Sequence, residues 1–320
     1  MIKSSKNLEQ YLLLIFILFP ILLISGPLLT DLTVILFSIF FLIRYKYFNF
    51  NAKSRNFIIL VCLFYLIINI SSLLSDNILL SLKSSLVYFR FIFFSFVVAI
   101  LIPYVERNQN ISKYFNFVFQ FIFIFFFIDS FYQFFNNENL LGMKITSNLK
   151  GERVSSIFGS ELILGSFISK VMFIYLGFLH GQKINNNNNI NIDYKILFIF
   201  IISLSTIFIS GDRSALVLAI IGTLGYLIIN LNFRAIFIIF LFMVLVFFTA
   251  IQKPLLKVRY IQLFNSIFLD HKIGQITHHQ HFKTSYKMFK DKKLIGHGIK
   301  SFRYKCNLDE YNSGPLSCST

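Results

Sequence analysis

An all-α, polytopic transmembrane helix bundle is the fold class this sequence predicts, and three observations carry the prediction. The 320 residues are 56% hydrophobic and only 14% charged, with a mean hydropathy of +0.70, far from the balance of a soluble domain. Several apolar runs approach the roughly 20 residues that cross a hydrocarbon core. Basic residues recur between those runs at positions that suit cytoplasmic loops. Phenylalanine is very abundant and tryptophan absent. That bias reads partly as AT-rich coding, so the phenylalanine-rich stretches are lipid-facing bulk rather than an aromatic cofactor box.

Nine spans are predicted in chain order: Tyr11–Ile24, Leu28–Ile43, Phe57–Leu74, Leu86–Val105, Tyr114–Phe135, Leu162–Leu179, Lys195–Ile209, Ala215–Asn230 and Ala235–Ile251. The first two share one apolar stretch, too long for a single helix and short for two. Lys3 and Lys6 precede it, while Arg44, Lys46, Lys53 and Arg55 follow. Both flanks therefore prefer the cytoplasm, and an even number of crossings joins them. Ser25-Gly26-Pro27 disfavours continuous helix and is the natural hairpin. No small-residue cleavage site follows the first run, which reads as an uncleaved span.

With a cytoplasmic N-terminus, Arg107, Lys113, Lys183 and Arg234 fall inside. Ser75–Ser85, Asn136–Glu161, Gly211–Ser214 and everything from Gln252 fall outside. The chain thus divides into a transmembrane bundle, 1–251, and an extracytoplasmic, periplasmic loop region, 252–320. The tail is itself strongly basic, which opposes that side, but long hydrophilic segments cross largely regardless of charge. Within it, Ile276–Phe289 predicts a helix with Phe282, Tyr286 and Phe289 on one face, suited to the membrane surface or to packing over the bundle. A glycine-rich turn, Leu294–Gly298, follows before Phe302. Asn185–Asn189 is a low-complexity inside loop.

The formal net charge of +16 invites a nucleic-acid reading. The basic residues are scattered through loops and one tail, with no soluble fold to present a groove-reading element, so nucleic acid is excluded as a partner. Membrane lipids with anionic headgroups, or phosphorylated lipid substrates, suit the charge better.

Charges near the spans are the candidate functional residues. Arg90 and Asp129 each lie about 9 Å from the outer end of their spans, at ~1.5 Å per residue, and equal depth predicts a structural ion pair. Arg153 and Arg213 stand in outer loops just before spans, free to point into a shared outward cavity. Arginine forks bind phosphate oxygens bidentately, so two of them converging suit a pyrophosphate, against the plainer reading of interfacial arginines. His278, His279 and His281 lack cysteine or carboxylate ligands in a helix-compatible arrangement, so they read as a polar helix face and no metal is expected. Cys62 is a packing residue. Cys306 and Cys318 flank a polar loop where an oxidising compartment allows a disulfide, although two free thiols fit the spacing equally well.

Four segments then carry a family resemblance. Arg153-Val154-Ser155-Ser156-Ile157-Phe158-Gly159, followed by Ile163-Leu164-Gly165-Ser166-Phe167, resembles the loop-to-span signature of the O-antigen ligase and polymerase family. Ser210-Gly211-Asp212-Arg213-Ser214-Ala215 resembles that family's second arginine motif. Met288–Asp291 through Leu294-Ile295-Gly296-His297-Gly298 and Phe302 resembles its extracytoplasmic loop. Gly314-Pro315-Leu316-Ser317-Cys318-Ser319-Thr320 is similar to the approach to its His-Pro-His-Asn segment. The order and spacing of these segments, from about Arg153 onward, carry the resemblance.

The resemblance implies a bacterial inner-membrane protein whose large outer loop follows the ninth span. It implies transfer of a glycan from an undecaprenyl-pyrophosphate-linked donor, without metal, cofactor or nucleotide sugar. The acceptor is lipid A-core for a ligase, another lipid-linked repeat for a polymerase, or a protein. Arg153 and Arg213 would hold the pyrophosphate, with Arg90, His297 and Arg303 as weaker candidates. The family's general-base histidine would follow Thr320, so the resemblance implies a sequence cut short, with no catalytic residue in 1–320. A transporter or glycan flippase also uses cavity arginines, but no internal repeat is visible.

Overall fold

The structure is a computed structural model that describes residues 6–44, 52–148, 151–185, 194–229 and 277–315, with 237–241, 243–244, 247–248, 256–257, 260 and 318. Its described residues are helical apart from loops and one small hairpin. The elements are α1 Lys6–Leu22, α2 Pro27–Arg44, α3 Ala52–Leu73, α4 Ile78–Val87, α5 Phe89–Arg107 and α6 Gln109–Asn136. The hairpin pairs β1, Thr146–Asn148, with β2, Gly151–Arg153. Then come α7 Leu164–Asn185, α8 Tyr194–Ile209, α9 Arg213–Ile229, α10 Thr277–Asp291 and the short α11 Phe302–Lys305.

Four helical stretches are long and apolar enough to cross a membrane: Asn56–Leu73, Ile78–Arg107, Gln109–Asn136 and Leu164–Lys183. Tyr11–Leu22, Pro27–Ile43, Tyr194–Ile209 and Arg213–Ile228 are shorter apolar helices. The first eight predicted spans fall on these elements. The ninth, Ala235–Ile251, lies largely outside the described residues, as do Asn186–Asn189 and the start of the tail. α3 is apolar on every face and exposes Phe57, Leu60, Leu63, Phe64 and Ile67, as expected of a helix whose solvent is lipid.

Local chemistry sets the helix ends. The first helix stops at Leu22, Gly26 turns the chain at φ +112°, and Pro27 opens α2, where its missing N–H costs nothing. Asn108 caps α6 by accepting from the Asn110 and Ile111 N–H groups, and left-handed Asn137 closes it. The predicted span Leu86–Val105 is modified: helix runs from Ile78 to Val87 and restarts at Phe89.

The chain packs as two compact units. One comprises 1–9, 30–100 and 266–320; the other 10–29 and 101–265. In the first, α2 meets α5 through Phe37–Phe94 and Phe41–Phe93 ring contacts, and Ser38 donates to the Arg90 carbonyl at 2.7 Å. α3 meets α4 where Ser85 donates to Asn69 Oδ1 at 2.9 Å. The tail residues belong to this unit. Their predicted amphipathic helix is α10, with Phe282, Tyr286 and Phe289 exposed and Gln280, Thr284 and Met288 buried.

The second unit is built around α8, which is buried for most of its length and packs on α6, α7 and α9. Phe115, Phe119, Tyr175 and Phe178 form a continuous aromatic cluster between α6 and α7, with centroids 4.4–5.0 Å apart in its closest pairs.

Candidate functional site

The site in the second unit is set by two polar side chains one turn apart near the end of α6. Asp129 and Gln133 are both fully buried, so each must find partners. Gln133 Oε1 accepts from the N–H groups of Ser155 at 3.2 Å and Ser156 at 2.7 Å, while its Nε2 donates to the Met143 carbonyl at 3.2 Å. Asp129 accepts from the Leu140 N–H at 2.9 Å and from the Ser156 hydroxyl. These bonds hold Ser156 at φ +55°, a conformation costly for a side-chain-bearing residue. They also fix the strand end that carries Arg153.

Arg153 leaves β2 toward the loop between α8 and α9. Its Nη2 lies 3.6 Å from Asp212 Oδ2, and its Nε donates to the Ser210 carbonyl at 3.4 Å. Asp212 is also the N-cap of α9: its Oδ1 accepts from the Ala215 N–H and the Ser214 hydroxyl. Arg213 is therefore the first residue of α9, where the free N–H groups and the helix dipole are positive. Arg153 and Arg213 thus flank Asp212, one through an ion pair and the other as its neighbour in the chain. The Tyr260 hydroxyl donates to the Phe208 carbonyl at 2.9 Å, and its ring stacks on Phe208.

Gly165, in the first turn of α7, makes this close approach possible. A Cβ there would lie 2.6 Å from both the Asp212 Cβ and the Ser210 Oγ. The two predicted arginine segments and the Ile163–Phe167 segment thus meet at one place. Among the described residues the arrangement offers two guanidinium groups and the Asp212 carboxylate. Arg153 and Asp212 keep only 17% and 12% of their side-chain surface exposed, so their pair is stronger than a solvated one.

The remaining candidates lie in the first unit. Arg90 does not pair with Asp129. Its Nη2 meets Asp31 at 3.2 Å, and Asp129 is satisfied by Ser156 and Leu140. Equal depth constrains one coordinate of a helix, whereas pairing also requires facing directions.

His297 sits in the glycine-rich turn, buried, with both ring nitrogens engaged. Lys305 donates to Nδ1 at 2.9 Å, which places the ring proton on Nε2, facing the Met288 carbonyl at 3.1 Å and Asp291 at 3.3 Å. Lys305 also pairs with Asp76, which Lys292 meets at 3.2 Å. The Lys305 hydrogen bond, helped by Lys292 and opposed by partial desolvation, holds the Asp76 carboxyl below its ordinary value. Tyr311 donates to Asp291 at 2.7 Å; burial first, then that carboxylate, push its pKa up to about 12. Arg303 is exposed on α11, and Cys306 is bonded to Cys318.

Some of these residues carried no sequence signal. Gln133 was findable as a polar group one turn after Asp129 in an apolar helix. Asp76, Lys305 and Tyr311 come together only through long-range folding. Among the described residues no group of three or more histidine, cysteine or acidic side chains is arranged to hold a metal. No protein-family model matches this chain, and no curated protein or solved structure matches it.

Proposed function

We propose that this chain acts in glycosyl transfer from an undecaprenyl-pyrophosphate-linked glycan, in the manner of the O-antigen ligases and polymerases it resembles. In that reaction an acceptor hydroxyl bonds to the anomeric carbon as the anomeric carbon–oxygen bond to pyrophosphate breaks. The lipid pyrophosphate leaves with the electron pair, and the hydroxyl proton passes to a base. Arg153 and Arg213 would bind the pyrophosphate and offset the charge that grows on it as it departs. The nine-span topology and an outward-facing site in a bacterial inner membrane belong to the same proposal.

One observation supports the reading most: Arg153 reaches across to pair with Asp212, the residue directly before Arg213, so the two arginine segments converge on that carboxylate. Bringing two like charges together is unfavourable unless an anion accompanies them, and one aspartate neutralises only one of them. His297 is not poised as the base, because both its nitrogens already have partners.

The test is a transfer assay in membranes containing the full chain, a labelled lipid-linked donor and candidate acceptors. Arg153→Lys and Arg213→Lys are expected to lower transfer by roughly 100-fold each, since lysine loses the bidentate fork. Donor that crosses the membrane without transfer would move the protein to the flippase class.

A further inference from the structure

The first unit contains a second cationic feature, built from residues other than Arg153 and Arg213. An open crevice of about 670 Å³ lies along α4 and the start of α5, and Lys83, Arg90 and Lys300 line it together with Leu79, Val87 and Phe91. We propose that this crevice binds one anionic phospholipid, its phosphodiester on the three cations and an acyl chain along the leucine, valine and phenylalanine wall. The proposal does not rest on the glycosyl-transfer reading.

Charge complementarity argues for the occupant. Among the described residues no carboxylate lines the crevice. Arg90 Nη2 meets Asp31, which lies outside the crevice lining, at 3.2 Å, and the buried Arg90 Nε has no hydrogen-bond partner. A buried donor left unpaired is costly, and a phosphate oxygen is a natural acceptor for it. The third cation is held in place by an unusual backbone. Lys300 adopts φ +63°, which a lysine occupies only at a cost, and Ser81 of α4 donates to the adjacent Ile299 carbonyl at 2.9 Å.

The apolar wall argues for a lipid rather than a soluble phosphate. Leu79 is 84% exposed, and Val87, Tyr88 and Phe91 are also exposed. Such a surface is stable against hydrocarbon and costly against water. A crevice with cations beside an exposed apolar wall matches the amphipathic shape of a phospholipid better than that of an inorganic anion.

The test uses the purified full chain in neutral detergent, with phosphatidylglycerol and phosphatidylcholine in competition at limiting amounts and retained lipid counted by native mass spectrometry. The wild type is expected to retain phosphatidylglycerol preferentially, and 10 mM inorganic phosphate should leave it bound. The double variant Lys83→Gln/Lys300→Gln should lose that preference by roughly 30-fold, about what two interfacial cations supply. Both lysines are exposed, so the melting temperature should not move. Equal retention of the two lipids by the wild type, undiminished preference in the double variant, or release by inorganic phosphate would each overturn the proposal.

Discussion

Gln133 Oε1 accepts two backbone N–H groups, those of Ser155 and Ser156, and so ties the end of α6 to the loop that follows Arg153. One amide thus satisfies donors that would otherwise be buried without partners. Substituting Gln133 with leucine should strand both N–H groups, while the Met143 carbonyl keeps its bond from the Asn139 N–H. An unsatisfied buried group costs about 1–3 kcal/mol, so the loss should be at least that large. Thermal unfolding of the purified chain measures it, and Gln133→Glu, which keeps the acceptor, should recover part of the loss.

Gly298 stands at φ +89°, and a Cβ there would lie 2.5 Å from the Ser75 Cβ and 3.2 Å from the Ser71 carbonyl. Gly298→Ala therefore meets both a backbone penalty of roughly 1–2 kcal/mol and an overlap that the turn can relieve only by lifting away. Hydrogen exchange over 296–305 should rise in this variant while α6 and α8 keep their protection. Unchanged exchange would show that the turn does not depend on this contact.

The same turn should respond to acid. The Asp76 carboxyl has its folded value held below the ordinary 3.8. A lowered folded value means that its stabilisation is complete above the unfolded value and disappears as pH falls through the folded one. Exchange protection in the turn should therefore be flat from pH 7 to about 5 and decline below about 4. Asp76→Asn should be less protected at neutral pH and lack that decline. The half-exposed carboxylate keeps the expected effect modest.

Cys306, at the C-terminal end of α11, and Cys318 close a short loop of the residues that follow the helix. Oxidised protein should resist alkylation at both positions and show a mobility shift on reduction. Cys306→Ser should abolish that shift and increase proteolysis beyond residue 300, since a loop of this size gains about 3 kcal/mol from closure.

The helical order was legible in hydropathy alone, because a lipid-facing helix such as α3 needs no partner to be recognised. The break between Ser25 and Pro27 was legible from backbone chemistry. The position of both arginines just before spans is legible in the sequence, which leaves interfacial arginines as the plainer alternative, whereas the support from Asp129 and Gln133 is not legible there. Asp129 stands out in the sequence as a charge, but its partners, a hydroxyl and a backbone N–H, have no charge signature. The aromatic face of α10 was also visible, but periodicity shows that a face exists without showing what it meets. Here Thr284 and Met288 turn inward and Phe282, Tyr286 and Phe289 turn out.

The central claim is that Arg153 and Arg213 hold one anion between them. The most direct measurement is a double-mutant cycle for binding of undecaprenyl-pyrophosphate-linked glycan, using the wild type, Arg153→Lys, Arg213→Lys and the double variant. The account predicts that each single change weakens binding and that the double loss differs from their sum by about 0.5 kcal/mol or more, as groups sharing one ligand do. Two losses that simply add, or no loss in either single variant, would contradict it.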